Sequence, residues 1–338
     1  MNRRKFLAVT GMGAASSSIP YSTLSRAEGE NEIIEEEFFT PEKGTNIDTP
    51  AVWHGDDEDL VLVTAKESDE LVVFDASDGE YRGSIGSEGT DLGEFQRPNE
   101  VFVIDDHALV VERDNRRIQV IRLPDRKPLG TFGADRLRKP YGCTVFRSYF
   151  GYELFVTDDY DAADASELDE RVKHYRFMMT ENGVDAHHVK TFGETEKPGA
   201  LSEVETIYAD PEYDRLVISD EQATAIKLYD LSGNFVSVGP TMFDDDPEGL
   251  DLYTDDDTEG YWVCTDQIDE RSRFHVFDRA SFDYQATFRG ERTADTDGVW
   301  LTQREFGPFS EGAFFAVHAD RSVSAFDWDD IEDVIEDD

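Results

Sequence analysis

The run DDDPEGLDLY at residues 244–253 sets Asp244, Asp245, Asp246 and Glu248 around a Pro-Glu-Gly turn that leads into an alternating strand. Glu205, Glu221, Asp295 and Asp297 stand at comparable turns beside strand-like runs. Carboxylates brought together from several turns are what a hard cation such as Ca²⁺ requires, since it takes roughly six to eight oxygen ligands. A cation held in that way can bind phosphate oxygens or polarise water. Other chemistries lack their residues: the chain has no GxSxG, no GxxxxGK[ST], no HExxH and no CxxC. The adjacent His187 and His188 fall in what reads as a charged loop, where imidazoles are solvated.

Such residues meet only if a scaffold aligns their turns. From residue 48 onward short alternating runs recur, among them LVLVTA, ELVVFDA, ALVVE, RIQVIRL, ELFVTD, RLVISD and YWVCTD, with turn residues between them. No long helical period appears outside the acidic C-terminal DWDDIEDVIEDD, so folds with crossover helices are disfavoured. The runs group into units of roughly 40 to 50 residues, the size of a propeller blade. Five such units, with a weaker sixth around AFFAVHADRSVSAFDW, predict an all-β, six-bladed β-propeller with four-stranded antiparallel blades. In that architecture the first strand of each blade lines a channel and loops at one end converge on its axis.

Composition limits the partners. With 76 Asp and Glu against 32 Lys and Arg the formal net charge is -44, yet 23 Phe, 13 Tyr and 4 Trp supply a core. Acid spread over every segment of a folded chain suits a halophile, where salt screens self-repulsion. No basic stripe exists to replace phosphate counterions, so nucleic acid is not an expected partner.

The start, MNRRKFLAVTGMGAASSSIPYSTLSRAEGE, has paired arginines and a short apolar stretch, and is similar to a twin-arginine export signal ending near Ala27. The apolar part is too short to span a bilayer. The expected organisation is therefore a signal at 1–27, an acidic linker at 28–45, the propeller at 46–328 and an acidic tail at 329–338. The product is expected to be an extracellular or cell-surface monomer without a transmembrane segment. Cys143 and Cys264, far apart in strand-like runs, are expected as buried thiols or as a disulfide that export would permit.

An ordered set of motifs then carries a resemblance: DTPAVW (48–53), VTAKESDELVVF (63–74), KPYGCTVF (139–146), SEVETIYADPEYDRLVISDE (202–221), DPEGLDLY (246–253), TADTDGVWLT (293–302) and GPFSEGAFFAVHAD (307–320). Together they resemble the β-propeller phytases, calcium-dependent alkaline phosphatases of inositol phosphates, and point to a haloarchaeal member. The resemblance implies a phosphoric monoester hydrolase of the 3-phytase type, with Ca²⁺ as cofactor and a phosphorylated small molecule as substrate. It implies Asp48, Glu205, Glu221, Asp246, Glu248 and Asp295 as calcium ligands, with Glu205, Glu221 and Asp246 also serving catalysis. Lys66, Arg113 and Tyr141 fall where the family contacts phosphate.

The chain departs from the family pattern at Thr49 and Thr206, at Asp158 or Asp159 where a phosphate-binding lysine is expected, and around Asp320. Two other readings compete. GEFQRPNEVFVIDDHALVVERDNRRIQVIRL resembles the NHL-type repeat of non-enzymatic interaction propellers. A calcium-dependent lactonase-like hydrolase would use the same channel.

Overall fold

The computed structural model describes residues 32–256 and 258–337, so the export signal expected at 1–27 lies outside the described residues. The alternation read from the sequence is realised as six sheets. Blade 1 comprises Ile47–His54, Asp59–Ala65, Glu70–Asp75 and Tyr81–Ile85, and blade 2 Pro98–Ile104, His107–Glu112, Arg117–Arg122 and Lys127–Phe132. Blade 3 comprises Pro140–Ser148, Gly151–Asp158, Val172–Thr180 and Gly183–Phe192, and blade 4 Ile207–Asp210, Arg215–Asp220, Ala225–Tyr229 and Phe235–Val238. Blade 5 runs through Asp246–Thr254, Gly260–Gln267, Arg273–Asp278 and Tyr284–Gly290, and blade 6 through Val299–Thr302, Ala313–His318 and Ser322–Asp327. The first strands of neighbouring blades touch in a closed circuit, blade 6 returning to blade 1. This is the six-bladed propeller that the repeat predicts, with antiparallel blades. The His187–His188 pair lies in the outermost strand of blade 3 rather than in a loop.

Apolar side chains of alternating positions fill the space between blades. Val61, Val63 and Phe74 of blade 1 pack with Phe306, Phe309 and Phe315 of blade 6, and Phe274 and Phe288 of blade 5 pack with Phe314 and Phe326. Cys143 and Cys264 are both buried free thiols.

Residues 28–45, expected as a linker, contain two strands that close the ring. Phe38–Phe39 forms the outermost strand of blade 6, and Glu32–Ile34 adds in parallel to the outer strand of blade 5. Between them the Glu36 carboxylate accepts the backbone N–H groups of Arg292 and Thr293 at 2.9 and 2.7 Å and the Thr293 hydroxyl at 2.7 Å. Local composition reads as linker because the partners that order this segment lie some 250 residues away in the chain. The acidic tail is likewise a helix, Trp328–Asp337, whose Trp328, Ile331 and Ile335 join the core between blades 5 and 6.

A repeated polar device ties each blade to the loop that leads into it. The second strands of blades 2 to 5 end at or next to Glu112, Asp158, Asp220 and Asp266, all fully buried. Each carboxylate accepts backbone N–H groups of its own lead-in loop: from Gln96, from Arg138 and Lys139, from Ser202 and Glu203, and from Asp244 and Asp245 respectively. A cation on the third strand faces each of them, Arg117, Lys173, Lys227 and Arg273. These acids are architectural. Asp158→Ala would leave Lys173, 2% exposed and 2.7 Å from its partner, as an uncompensated buried charge. The expected cost is about 3–5 kcal/mol of folding stability, read by denaturant unfolding.

Candidate metal centre

The lead-in to each first strand is irregular at one end of the channel, and that irregularity aims side chains at the axis. Register shifts fall between Ile47 and Pro50, Pro98 and Glu100, Pro140 and Cys143, and Pro247 and Leu250. The residues released by these bulges include Asp48, Asn99, Tyr141 and Glu248. In blades 4 and 6 the residues just ahead of the strand, Glu205 and Asp297, take the same place. A bulge re-aims a side chain in this way because the extra residue falls out of the ladder. The blades must also approach closely. A Cβ on Gly142 would lie 2.1 Å from the Glu205 carbonyl oxygen, and one on Gly298 would lie 2.7 Å from that of Asp48.

A second tier comes from the turns that follow the second strands, where Lys66, Arg113, Asp159 and Glu221 occupy equivalent positions in blades 1 to 4. Carboxylate oxygens of Glu205, Glu221 and Glu248 lie within 4.8 Å of one another. Lys66 Nζ sits 3.1 Å from Asp48 Oδ2 and 3.3 Å from the Tyr141 hydroxyl, and it is buried with Asp48. Asp297 Oδ1 accepts the Gln267 side-chain amide at 2.9 Å.

Electrostatics makes this cluster costly as it stands. Burial, then the charge of Asp48, pushes Glu205 up to about 8. Burial with Glu205, Glu203 and Asp246 pushes Glu221 up to about 10. Asp297 rises to about 9 through burial and Asp48, and Glu248 rises well above the carboxylate range through burial, Glu205 and Glu221. Burial works against the charge of Lys66, but Asp48, Asp297 and Glu205 outweigh it and hold its pKa above the usual value. Glu100 is likewise pushed well up by burial and by Asp48 and Asp251.

The structure separates the sequence-nominated acids. Glu205, Glu221 and Glu248 meet, and the charge of Asp48, buried beside Lys66, bears on Glu205 and Glu248. Asp246, half-buried at the start of its strand, lies outside the close group, where its charge bears on Glu221 and Glu203. Asp295 adopts a left-handed backbone, φ 47°, and the charges that bear on it most are those of Asp320 and Asp269. Asp297, two residues on, takes the axial place in blade 6. The signal was present: Tyr141, Glu248 and Asp297 each directly precede a glycine and then the strand. Glu100, which lines the channel one residue past the blade 2 bulge and pairs with Val111, carried no such mark. Tyr141 and Lys66 converge with the acids, whereas the Arg113 guanidinium turns to Asp114 at 2.8 Å. Asp158 is the architectural acid of blade 3, and Asp159 takes the second-tier place, paired with Arg171 at 3.2 Å.

A protein-family profile described as Phytase matches residues 150–318, half of the chain, spanning the segments that carry Glu205, Glu221, Glu248 and Asp297. The chain belongs to the phytase family. It is thus a phytase-like hydrolase at family level, in a family of propellers that are in general calcium-dependent. No curated protein matches it significantly. Among solved structures, a member of the DUF4221 family from Bacteroides vulgatus superposes with a TM-score of 0.50 at 9% identity, over 87% of this chain and 97% of that one. That likeness is one of fold. The structure of BBS1N in complex with ARL6DN superposes with a TM-score of 0.49 at 9% identity, over 88% and 97% of the two chains.

Proposed function

We propose that this phytase-family chain is a calcium-dependent phosphomonoesterase acting on phosphate esters such as inositol phosphates. The observation that carries the reading is the close group of Glu205, Glu221 and Glu248, together with buried oxygens that lack hydrogen-bond partners at Glu221 Oε1 and Asp297 Oδ2. Buried carboxylates remain together in a folded protein when paired or bound to a metal. This donor set, all hard oxygen, fits Ca²⁺.

Glu205, Glu221 and Glu248 would hold the ion, with Asp48 and Asp297 as neighbouring ligands. Calcium there supplies the field that draws in phosphate oxygens and acidifies water. Lys66 adds a point charge at the rim of the same group, and the Tyr141 hydroxyl beside it offers one hydrogen bond to phosphate. Arg113 stands one blade away at the equivalent turn and would have to leave Asp114 to grip phosphate bidentately. With Asp159 where a cation would help, fewer phosphates can be gripped at once, and monophosphate esters should fare relatively well against highly phosphorylated ones.

Two variants separate adjacent acids. Asp297→Asn should lower calcium-dependent phosphate release at least about tenfold, whereas Asp295→Asn should change it less than about threefold, because metal-site partners are typically worth 10–100-fold. The decisive assay measures phosphate release from p-nitrophenyl phosphate and inositol phosphates, with and without Ca²⁺, in high salt. Flat results on every ester would favour an interaction platform. We further infer an exported, halophilic monomer, given the twin-arginine-like start and the charge of -44. Among the described residues no helix is long and apolar enough to cross a membrane.

A further inference from the structure

The opposite mouth of the channel holds a second cluster that the phosphatase reading does not use. The first strand of blade 1 carries Asp48 at the acidic end and His54 six residues later, roughly 20 Å away at about 3.3 Å per residue. His54 Nδ1 lies 2.7 Å from Asp59 Oδ1, its cross-strand partner, and His54 Nε2 lies 2.7 Å from the Thr302 hydroxyl at the end of the first strand of blade 6. Asp59 as a carboxylate only accepts, so Nδ1 carries the ring proton. Nε2 is then left as the acceptor, and the Thr302 hydroxyl donates to it. Burial keeps the imidazole pKa below its usual value, which favours the neutral, basic ring. Phe306 packs edge-on against that ring, with centroids 5.1 Å apart, and fixes its plane.

His54 and Thr302 both line a cavity of about 510 Å³, whose walls include Phe102, Phe146 and Trp300. That volume suits a small organic ligand. Its aromatic side suits a planar ring.

We propose that Thr302, His54 and Asp59 form a hydroxyl–imidazole–carboxylate relay that hydrolyses small aryl esters in this cavity, independently of the metal centre. Thr302 Oγ attacks the ester carbonyl carbon while its proton passes to His54 Nε2. The C–O bond to the aryl oxygen breaks, and the His54 proton goes to the departing phenolate. Water then attacks the acyl–Thr302 ester, giving its proton to His54, which returns it to Thr302 Oγ as the carboxylic acid leaves. Asp59 holds the tautomer and orientation throughout. An aryl leaving group matches both the cavity wall and a nucleophile whose β-methyl crowds the reacting carbon.

The test uses the full chain with chelator present and 4-nitrophenyl acetate as probe. The expected result is a burst of 4-nitrophenolate, with the acetyl group mapped by peptide mass spectrometry to the peptide containing Thr302. Thr302→Ala and His54→Gln should each reduce the burst at least about 100-fold. Thr302→Ser should equal or exceed the native rate, since it keeps the hydroxyl and sheds the methyl. Acetyl found only on lysines, or a Thr302→Ala burst equal to that of the native chain, overturns the proposal, as does a Thr302→Ser variant as slow as Thr302→Ala. The acetyl mapping requires no variant, so misfolding of a mutant leaves the proposal open to refutation.

Discussion

Glu248→Gln should reduce calcium-dependent phosphate release by roughly 100- to 1,000-fold, while making the calcium-free protein more stable at pH 9. The first effect follows from its place: the side chain is 7% exposed, enters from a bulge in the first strand of blade 5, and lies within ligand distance of Glu205 and Glu221. An amide keeps the shape but removes an anionic oxygen from a hard-cation site, and even outer partners of a metal are typically worth 10–100-fold. The second effect has the opposite sign because burial, Glu205 and Glu221 all oppose ionisation of Glu248. With no cation present, ionisation at high pH strains the fold, and a neutral amide is spared that strain. Phosphate-release kinetics and a chelator-treated melt at pH 9 measure the two effects. A residue serving only the fold would lose both activity and stability, so a destabilised calcium-free variant would count against Glu248 as a ligand.

The propeller was legible because each blade repeats one local pattern, an alternating second strand such as LVISD followed by a polar turn and an alternating third strand. Chain closure was not, since Phe38–Phe39 and the Glu36 carboxylate gain their meaning only from residues near 292 and 325. At the site, Glu205, Glu221 and Glu248 could be selected because each sits at a fixed offset from its strand. The choice of Asp295 over Asp297 shows what offset alone leaves open: two acids two residues apart share a face of any regular strand. A left-handed residue at 295 decides which one turns to the axis. Asp158, Asp220 and Asp266 were illegible for a different reason. An acid before a turn looks the same in sequence whether it meets salt water or a set of backbone N–H groups, and in a chain with 76 acids that difference is made by tertiary structure alone.

Removing calcium should lower the melting temperature, and the drop should widen as pH rises from 6 to 10. The sign follows from the folded-state values of about 8 for Glu205, about 9 for Asp297 and about 10 for Glu221. An unfolded glutamate or aspartate ionises near pH 4. Between there and about pH 8 to 10 the calcium-free folded state binds more protons than the unfolded chain, so its stability falls as pH rises through that window. Below pH 4 the contribution of these groups is fully present, and above about pH 10 it is gone. Calcium reverses the balance because it binds the ionised carboxylates, and its affinity rises as their protons leave. A ligand at 100 times its dissociation constant adds about 2.7 kcal/mol by mass action. At about 2–4 °C per kcal/mol for a domain of this order, that is a difference of roughly 5–10 °C. Scanning calorimetry at constant high KCl, with and without chelator at each pH, isolates the effect from general screening of the acidic surface, which KCl holds fixed. Curves that coincide at every pH would mean that these carboxylates hold no calcium. Curves that differ by a constant amount would place the bound ion away from Glu205, Glu221 and Asp297.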